Sequence, residues 1–211
     1  MHDWTRARMN SDLPDKLFGE IKDLYKKRLK LPEAKPKKQF LLCPVGLVGS
    51  GKSTVLKPLA EKLNAVRVSV DEIRQTLKES GFNYNQARNI AYEIIQELLD
   101  SGQSVAVDGN CGSEDALKKI EQLKMKPEKR IVWIRVNPPE EFIINKLKNF
   151  KHTWLFDDGD EAVRGFYKYK EKYGDFSDLR LPYAYTFDTS KDDLGEQINE
   201  ALKIIKDKIN L

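Results

Sequence analysis

The chain has 211 residues and a formal net charge of +4, with 40% hydrophobic and 33% charged residues. This length suits one α/β domain with a sizeable core and is short for two domains. The sequence contains no apolar run near the roughly 20 residues that a membrane helix needs. The weakly basic balance suits an anionic ligand but does not by itself indicate nucleic acid, because dedicated nucleic-acid binders concentrate positive charge on one face. Two cysteines outside any CxxC pair, and a start without an apolar core, exclude a disulfide framework and a secretory signal, so we expect a cytoplasmic protein without a membrane partner.

The first pattern is an amphipathic helix over residues 12–31, where apolar residues recur at helical spacing with lysines between them. Its apolar stripe favours packing on the core, and contact of its lysines with an anionic acceptor such as nucleic acid is the alternative. Residues 32–38, with two prolines and three lysines, are typical of a linker. We therefore expect residues 1–38 to be a basic helix and linker packed on a domain that covers 39–211.

Strand-like runs alternate with helical patterns over the rest of the chain. The predicted strands cover residues 40–43, 65–70, 104–107, 131–134 and 183–187. The predicted helices cover residues 55–63, 71–77, 87–98, 114–123, 138–147 and 194–209. Pro44 removes one ladder donor and is expected to end the first strand. This alternation predicts a P-loop type α/β fold, with a mostly parallel sheet of five strands and helices on both faces.

The sequence GLVGSGKST at residues 46–54 matches the GxxxxGK[ST] pattern, after a buried strand and at the start of a helix. Its glycines let the backbone curl so that N–H groups and the helix N-terminus hold phosphates. The lysine adds a charge for the β- and γ-phosphates, and Ser53 offers a hydroxyl to Mg²⁺. The residues predicted to bind ATP are Gly46, Gly49, Ser50, Gly51, Lys52, Ser53 and Thr54.

Asp108 ends the third predicted strand, where P-loop proteins hold Mg²⁺ with a second side chain. The next residue is Gly109 rather than glutamate, which weakens the interpretation as an ATPase that drives mechanical work. A GTP-binding switch needs an NKxD motif, and the nearest string, NKLK at 145–148, lacks the aspartate. Asp108 and Ser53 are therefore the predicted metal ligands.

Asp71 follows the second predicted strand, and Arg74 lies three positions later on the same helical face. This pair suggests a base for an incoming hydroxyl group and a clamp for a neighbouring anion. The alternative is structural, with Asp71 capping the helix and Arg74 pairing with it or facing solvent.

Four motifs together, GLVGSGKST, SVDEIR at 69–74, VAVDGN at 105–110 and FDTS at 187–190, resemble those of a family of small P-loop kinases. The family includes the kinase domain of polynucleotide 5′-kinases, zeta-toxin-like kinases and other small predicted kinases, and the resemblance covers roughly residues 39–207. It implies that Asp71 is the general base, that Arg74 contacts the acceptor, and that Asp108 and Asn110 lie near the metal and the acceptor.

The lid is where the chain departs from this family. An R-x-x-x-R pattern often follows the fourth strand, whereas residues 145–151 contain three lysines and no arginine. The nearest lid arginine is Arg164, so either Arg164 or one of these lid lysines is the candidate for the transition-state cation beside Lys52. We expect residues 148–180, which are charged, aromatic and weakly patterned, to form a lid that closes over the nucleotide.

Two other features of this lid region allow two interpretations each. Trp154 and the tyrosines at 167, 169 and 173 either stack on a base or pack within the lid. The acidic run at 157–161 is typical of a solvated loop, with a second metal site as the alternative.

The predicted activity is transfer of the γ-phosphoryl group of ATP·Mg²⁺ to a hydroxyl acceptor. The acceptor stays open among a polynucleotide 5′-hydroxyl, a nucleoside, a sugar nucleotide and another small metabolite. The alternative is a nucleotide-binding module with slow ATPase activity that serves signalling or interaction. The missing lid arginines favour this alternative, and the pair of Asp71 and Arg74 opposes it.

Overall fold

The computed structural model describes residues 11–125, 130–149 and 158–209, so the predictions for Trp154, Lys151 and residues 1–10 lie outside it. The elements, in chain order, are α1 (Asp15–Lys26), β1 (Leu41–Val45), α2 (Lys52–Lys62), β2 (Ala65–Ser69), α3 (Val70–Glu79), α4 (Ala87–Asp100), β3 (Ser104–Asp108), α5 (Glu114–Gln122), β4 (Ile131–Val136), α6 (Glu140–Lys148), α7 (Gly159–Tyr173), β5 (Tyr183–Phe187) and α8 (Leu194–Ile209). No helix in the described ranges is long and apolar enough to cross a membrane.

The five strands form one sheet in the order β2-β3-β1-β4-β5, and every neighbouring pair is parallel. The predicted α/β fold is therefore confirmed, with a sheet that is parallel throughout. β1 lies at the centre, between β3 and β4. The chain leaves β1 towards β2 on one side and later returns to β4 on the other side. The carboxyl end of β1 is thus the switch point at which open α/β sheets bind their ligands.

The two faces of the sheet carry separate parts of the core. Leu41 and Cys43 of β1 belong to the cluster that includes buried residues of α1, α3 and α4. Leu42, between them, belongs to the cluster formed with α2 and α8. Because successive side chains of a strand point to opposite faces, a continuous apolar run can fill both layers. The sheet is thereby fixed between two layers of helices.

The prediction that Pro44 ends the first strand is wrong, since β1 continues to Val45. Pro44 pairs with Ile134 of β4 in the register of the sheet. Its carbonyl points the other way and accepts from the backbone N–H of Cys111, which follows β3. The paired residues of β1 and β3 stop at Leu42, so the missing N–H of Pro44 faces the side on which the ladder has already ended.

Residues 159–173, for which the sequence analysis predicted no element, form the helix α7. Asp158 caps it by accepting the N–H of Glu161, and Asp160 and Glu161 lie in its first turn, where acidic side chains are favoured. The described part of the acidic run thus starts a helix. The buried stripe of α7 consists of Ala162 and Phe166 and is extended by two half-buried tyrosines, Tyr169 and Tyr173.

Candidate active site

The loop between β1 and α2 curls tightly at its glycines. Gly51 has a φ of +92° and stands directly before α2, a conformation that glycine adopts without strain. A Cβ at Gly46 would lie 2.4 Å from the carbonyl oxygen of Val136, at the end of β4. Because no side chain caps α2, its first N–H groups are available to an anion.

Two other segments pack against this loop. A Cβ at Gly49 would lie 3.0 Å from Ile143 and 3.1 Å from Leu147, both in α6. On the other side, Thr189 donates a hydrogen bond from its Oγ1 to the carbonyl oxygen of Ser50, at 2.7 Å. Thr189 belongs to the FDTS motif, which supported the family resemblance but received no role in the sequence analysis. Its contact identifies the turn after β5 as one wall of the site.

Lys52 lies folded over the loop that it follows. Its Nζ donates to the carbonyl oxygens of Gly46 and Leu47, at 2.9 and 2.6 Å. Burial lowers the pKa of Lys52 to about 8, while the carboxylates of Asp71 and Asp108 act in the opposite direction. Both predicted carboxylates thus act on the charge of the P-loop lysine.

The lowered pKa of Lys52 leads to an expected pH dependence of ATP binding. Phosphates favour the charged ammonium, so affinity should be nearly constant between neutral pH and about pH 8 and fall above it, by up to about tenfold per pH unit. Titration calorimetry at pH 7.5 and 9 checks this. The variant Lys52→Arg, whose guanidinium stays charged, should show no such fall. Equal ATP affinity of the unmodified protein at both pH values would contradict the expectation.

The predicted metal side of the site is formed by Ser53 and Asp108, whose Oγ and Oδ1 atoms are 2.7 Å apart. The side chain of Asp108 is only 4% exposed. In the described ranges, no group of three or more Asp, Glu, His or Cys side chains could hold a metal ion. Mg²⁺ at nucleotide sites is usually held by one or two carboxylates together with phosphate oxygens. One carboxylate and one hydroxyl beside a phosphate loop fit that requirement.

Arg67 is a member of the site that the sequence analysis missed. It forms ion pairs with Asp108 and with Glu72, in the first turn of α3. Arg67 thereby links the predicted metal ligand to the helix that carries Asp71. The signal that could have found it is a charged residue inside a short apolar strand that ends at the site.

The predicted acceptor side lies at the start of α3. Arg74 donates from its Nη1 to Oδ1 of Asp71, at 2.8 Å. The part of the structural alternative in which Asp71 caps this helix is wrong, because the N-cap residue is Ser69, whose Oγ accepts the N–H of Glu72. The carboxylate of Asp71 is therefore not needed as the helix cap. The other part of that alternative, the pairing of Arg74 with Asp71, is what the structure shows.

Asn110 connects the P-loop to α7. Its Oδ1 accepts the N–H of Gly46 at 3.3 Å, and its Nδ2 donates to the hydroxyl of Tyr169 at 2.7 Å. Arg164 is exposed, two positions from each of the buried residues Ala162 and Phe166, and so lies on the opposite face of α7. The structure thus brings Asn110 to the P-loop, and it leaves Arg164 at the surface.

The chain is similar to known proteins in sequence. The model of the AAA domain family matches residues 41–151. A shikimate kinase of Persephonella marina (strain DSM 14350 / EX-H1) is 26% identical over 147 residues, which cover 65% of this chain and 85% of that protein.

Solved structures show the same fold at lower sequence identity. A putative kinase from Chloroflexus aurantiacus superposes with a TM-score of 0.62 at 18% identity, over 79% of this chain and 98% of that one. A structure from the PezAT toxin-antitoxin system of Streptococcus pneumoniae has a TM-score of 0.56 at 14% identity and covers 95% of this chain and 98% of its own. The narrower resemblance to polynucleotide 5′-kinases and zeta-toxin-like kinases stays a prediction. The match to the family model extends over more than half of the chain, and the chain therefore belongs to the AAA domain family.

Proposed function

We propose that this protein is an ATP-dependent kinase that transfers the γ-phosphoryl group of ATP to a hydroxyl group of a small-molecule acceptor. The observation that carries the proposal is that the carboxylate of Asp71, held by Arg74 at 2.8 Å, does not serve as the helix cap and acts on the charge of the P-loop lysine Lys52. An ATP-binding module alone needs no such pair next to its phosphate site. The curated relative that is named a shikimate kinase supports a small hydroxyl compound as the acceptor.

In the proposed reaction, the hydroxyl oxygen of the acceptor bonds to the γ-phosphorus while the bond from that phosphorus to ADP breaks and ADP leaves. Asp71 accepts the proton that the hydroxyl group loses. Arg74 holds the carboxylate of Asp71 in place and faces the acceptor. Lys52 stabilises the charge that develops on the transferred group. Ser53 and Asp108 would hold Mg²⁺, which supplies positive charge to the β- and γ-phosphates when bound.

The contacts of α1 favour a small acceptor over a nucleic acid. Lys22 and Lys26 form ion pairs with Glu97 of α4, at 2.7 and 2.6 Å. Arg28 pairs with Glu79 at the end of α3. Positive charge that is paired with carboxylates contributes less to a phosphate-binding face than unpaired charge does.

An acceptor screen with labelled ATP tests the proposal. Hydroxy acids, sugars, nucleosides, sugar nucleotides and a 5′-hydroxyl oligonucleotide are offered separately, and labelled product and ADP are measured. A kinase should consume ATP faster with one class of acceptor and label that acceptor. A slow ATPase that serves as a binding module should release phosphate at the same rate in every mixture, and that result would reject the proposal.

Lys146 in α6 is a stronger candidate than Arg164 for the cation that assists transfer. Its neighbours on the helix, Ile143 and Leu147, pack against Gly49 of the P-loop. Lys146 is half-buried, burial lowers its pKa, and its charge is among those that lower the pKa of Lys52. Within the described ranges, no carboxylate forms an ion pair with Lys146. The role of Arg164 stays a prediction that requires movement of α7.

Replacing Lys146 with methionine should therefore lower the transfer rate by at least about tenfold, or 1.4 kcal/mol in the barrier. The matched control is Lys148→Met, since Lys148 is exposed at the end of the same helix and should tolerate the change. Arg164→Ala shows whether the lid arginine contributes. Single-turnover rates with the screened acceptor decide the assignment. If Arg164→Ala lost more of the transfer rate than Lys146→Met, Arg164 rather than Lys146 would be the cation that assists transfer.

A further inference from the structure

Tyr25 of the N-terminal helix reaches the turn that leads into the proposed acceptor side. The side chain is fully buried, and its hydroxyl accepts the backbone N–H of Ser69 at 2.7 Å. Burial raises the pKa of Tyr25, and the charge of Glu72 acts in the same direction, so the phenol stays neutral. The neutral, buried hydroxyl group of Tyr25 thus serves as the hydrogen-bond acceptor for one backbone N–H group of β2.

Ser69 occupies a critical position in this turn. It is the last residue of β2, it pairs with Asp108 in the register of the sheet, and it is the N-cap of α3. Only Val70 separates it from Asp71. The orientation of Ser69 therefore determines how the first turn of α3, with the proposed base, leaves the sheet.

The helix that carries Tyr25 is itself fixed at several points. Ile21, one turn earlier, is buried in the same core cluster. The ion pairs of Lys22 and Lys26 with Glu97 hold α1 to α4, and the pair of Arg28 with Glu79 holds the segment after α1 to α3. The hydroxyl of Tyr25 is thus presented from a rigid support, as precise positioning requires.

We propose that Tyr25 is a positioning residue, which fixes the turn from Ser69 to Asp71 and so aims the proposed base at the acceptor. The proposal rests on the proposed function for its catalytic consequence. Tyr25 lies before residues 41–151, which the family model matches. A segment outside the matched domain would therefore complete the acceptor side of the site.

The variant Tyr25→Phe tests this with the smallest change, because it keeps the ring and removes the acceptor oxygen. Since a buried N–H left without a partner is costly, amide exchange at Ser69 should become faster by on the order of tenfold. The turnover number should fall by roughly five- to tenfold, while the dissociation constant for ATP stays within about twofold. The matched control is Tyr92→Phe, since the Tyr92 hydroxyl donates to the carbonyl of Ala116, at 3.4 Å, away from the turn.

Three measurements on both variants decide the outcome: amide exchange by NMR, ATP binding by calorimetry, and turnover well below the unfolding temperature. Faster exchange confined to residues 69–74, with lower turnover and unchanged ATP binding, supports the positioning role. The positioning role is overturned if amide exchange at Ser69 in Tyr25→Phe equals that in the control, or if exchange rises equally over the whole sheet. It is also overturned if the protein transfers phosphate and Tyr25→Phe leaves the turnover number unchanged. If the unmodified protein transfers no phosphate, the proposed function fails, whereas exchange at Ser69 still decides whether Tyr25 holds the turn.

Discussion

Replacing Asp71 with asparagine is expected to lower phosphoryl transfer by roughly 10²–10⁴-fold, the usual contribution of a positioned general base. ATP affinity should change little, because the P-loop amides and Lys52 hold the phosphates. The fold should also persist, since Ser69 caps α3 and the Asp71 side chain is 55% exposed, where an ion pair contributes little to stability. Transfer to the screened acceptor and ATP binding are measured side by side.

Asp115 provides a matched control for this variant. It lies in the first turn of α5, which is capped by Ser113 as α3 is capped by Ser69, and it is exposed. Asp115→Asn should therefore leave both transfer and binding unchanged. If Asp71→Asn also transferred at the normal rate, Asp71 would have no role as the base. An equal loss of ATP binding would assign Asp71 to the nucleotide or metal instead.

Replacing Lys52 with alanine is expected to reduce transfer by on the order of 10²-fold or more, as does the removal of one transition-state donor elsewhere. The same change removes two hydrogen bonds, from Nζ to the carbonyl oxygens of Gly46 and Leu47. ATP affinity should fall as well, because the loop loses both a charge and an internal support. Steady-state transfer and equilibrium ATP binding give the two effects separately.

Lys57 is a suitable control, as it is an exposed lysine on the same helix. Lys57→Ala should behave like the unmodified protein in both assays. Near-normal transfer by Lys52→Ala would count against the whole interpretation of the P-loop, including the proposed kinase activity.

The parts of the site that the sequence predicted are those whose chemistry is local in the chain. The P-loop is a continuous motif, and the pairing of Asp71 with Arg74 follows from their spacing on one helix. Ser53 and Asp108 were predicted together as metal ligands because P-loop proteins place a second ligand of Mg²⁺ at the end of a neighbouring strand. Helical and strand periodicity was sufficient for the fold class, because each layer buries a continuous or regularly spaced apolar face.

The parts that the sequence analysis missed depend on partners that are distant in the chain. The ion pair of Arg67 with Asp108 requires β2 to lie beside β3, and the bond from Ser69 to Tyr25 requires α1 to pack under that strand. The spacing of residues along the sequence predicts neither of these two neighbouring elements. The helix α7 escaped detection for another reason, since its buried stripe is partly aromatic and is interrupted by charged residues.

The central position of β1 has a consequence for how the protein is made. Leu41 pairs with Val105 of β3 and Ile131 of β4, whereas β2, the next strand to be synthesised, pairs with β3 instead. Ribosomes add roughly 5–20 residues per second, so an apolar strand waits for several seconds on the nascent chain without either partner. Such long-range pairing slows folding and leaves the strand exposed to aggregation. The phosphate loop, although encoded early, therefore follows a strand that can pair on both sides only after β4 has been made.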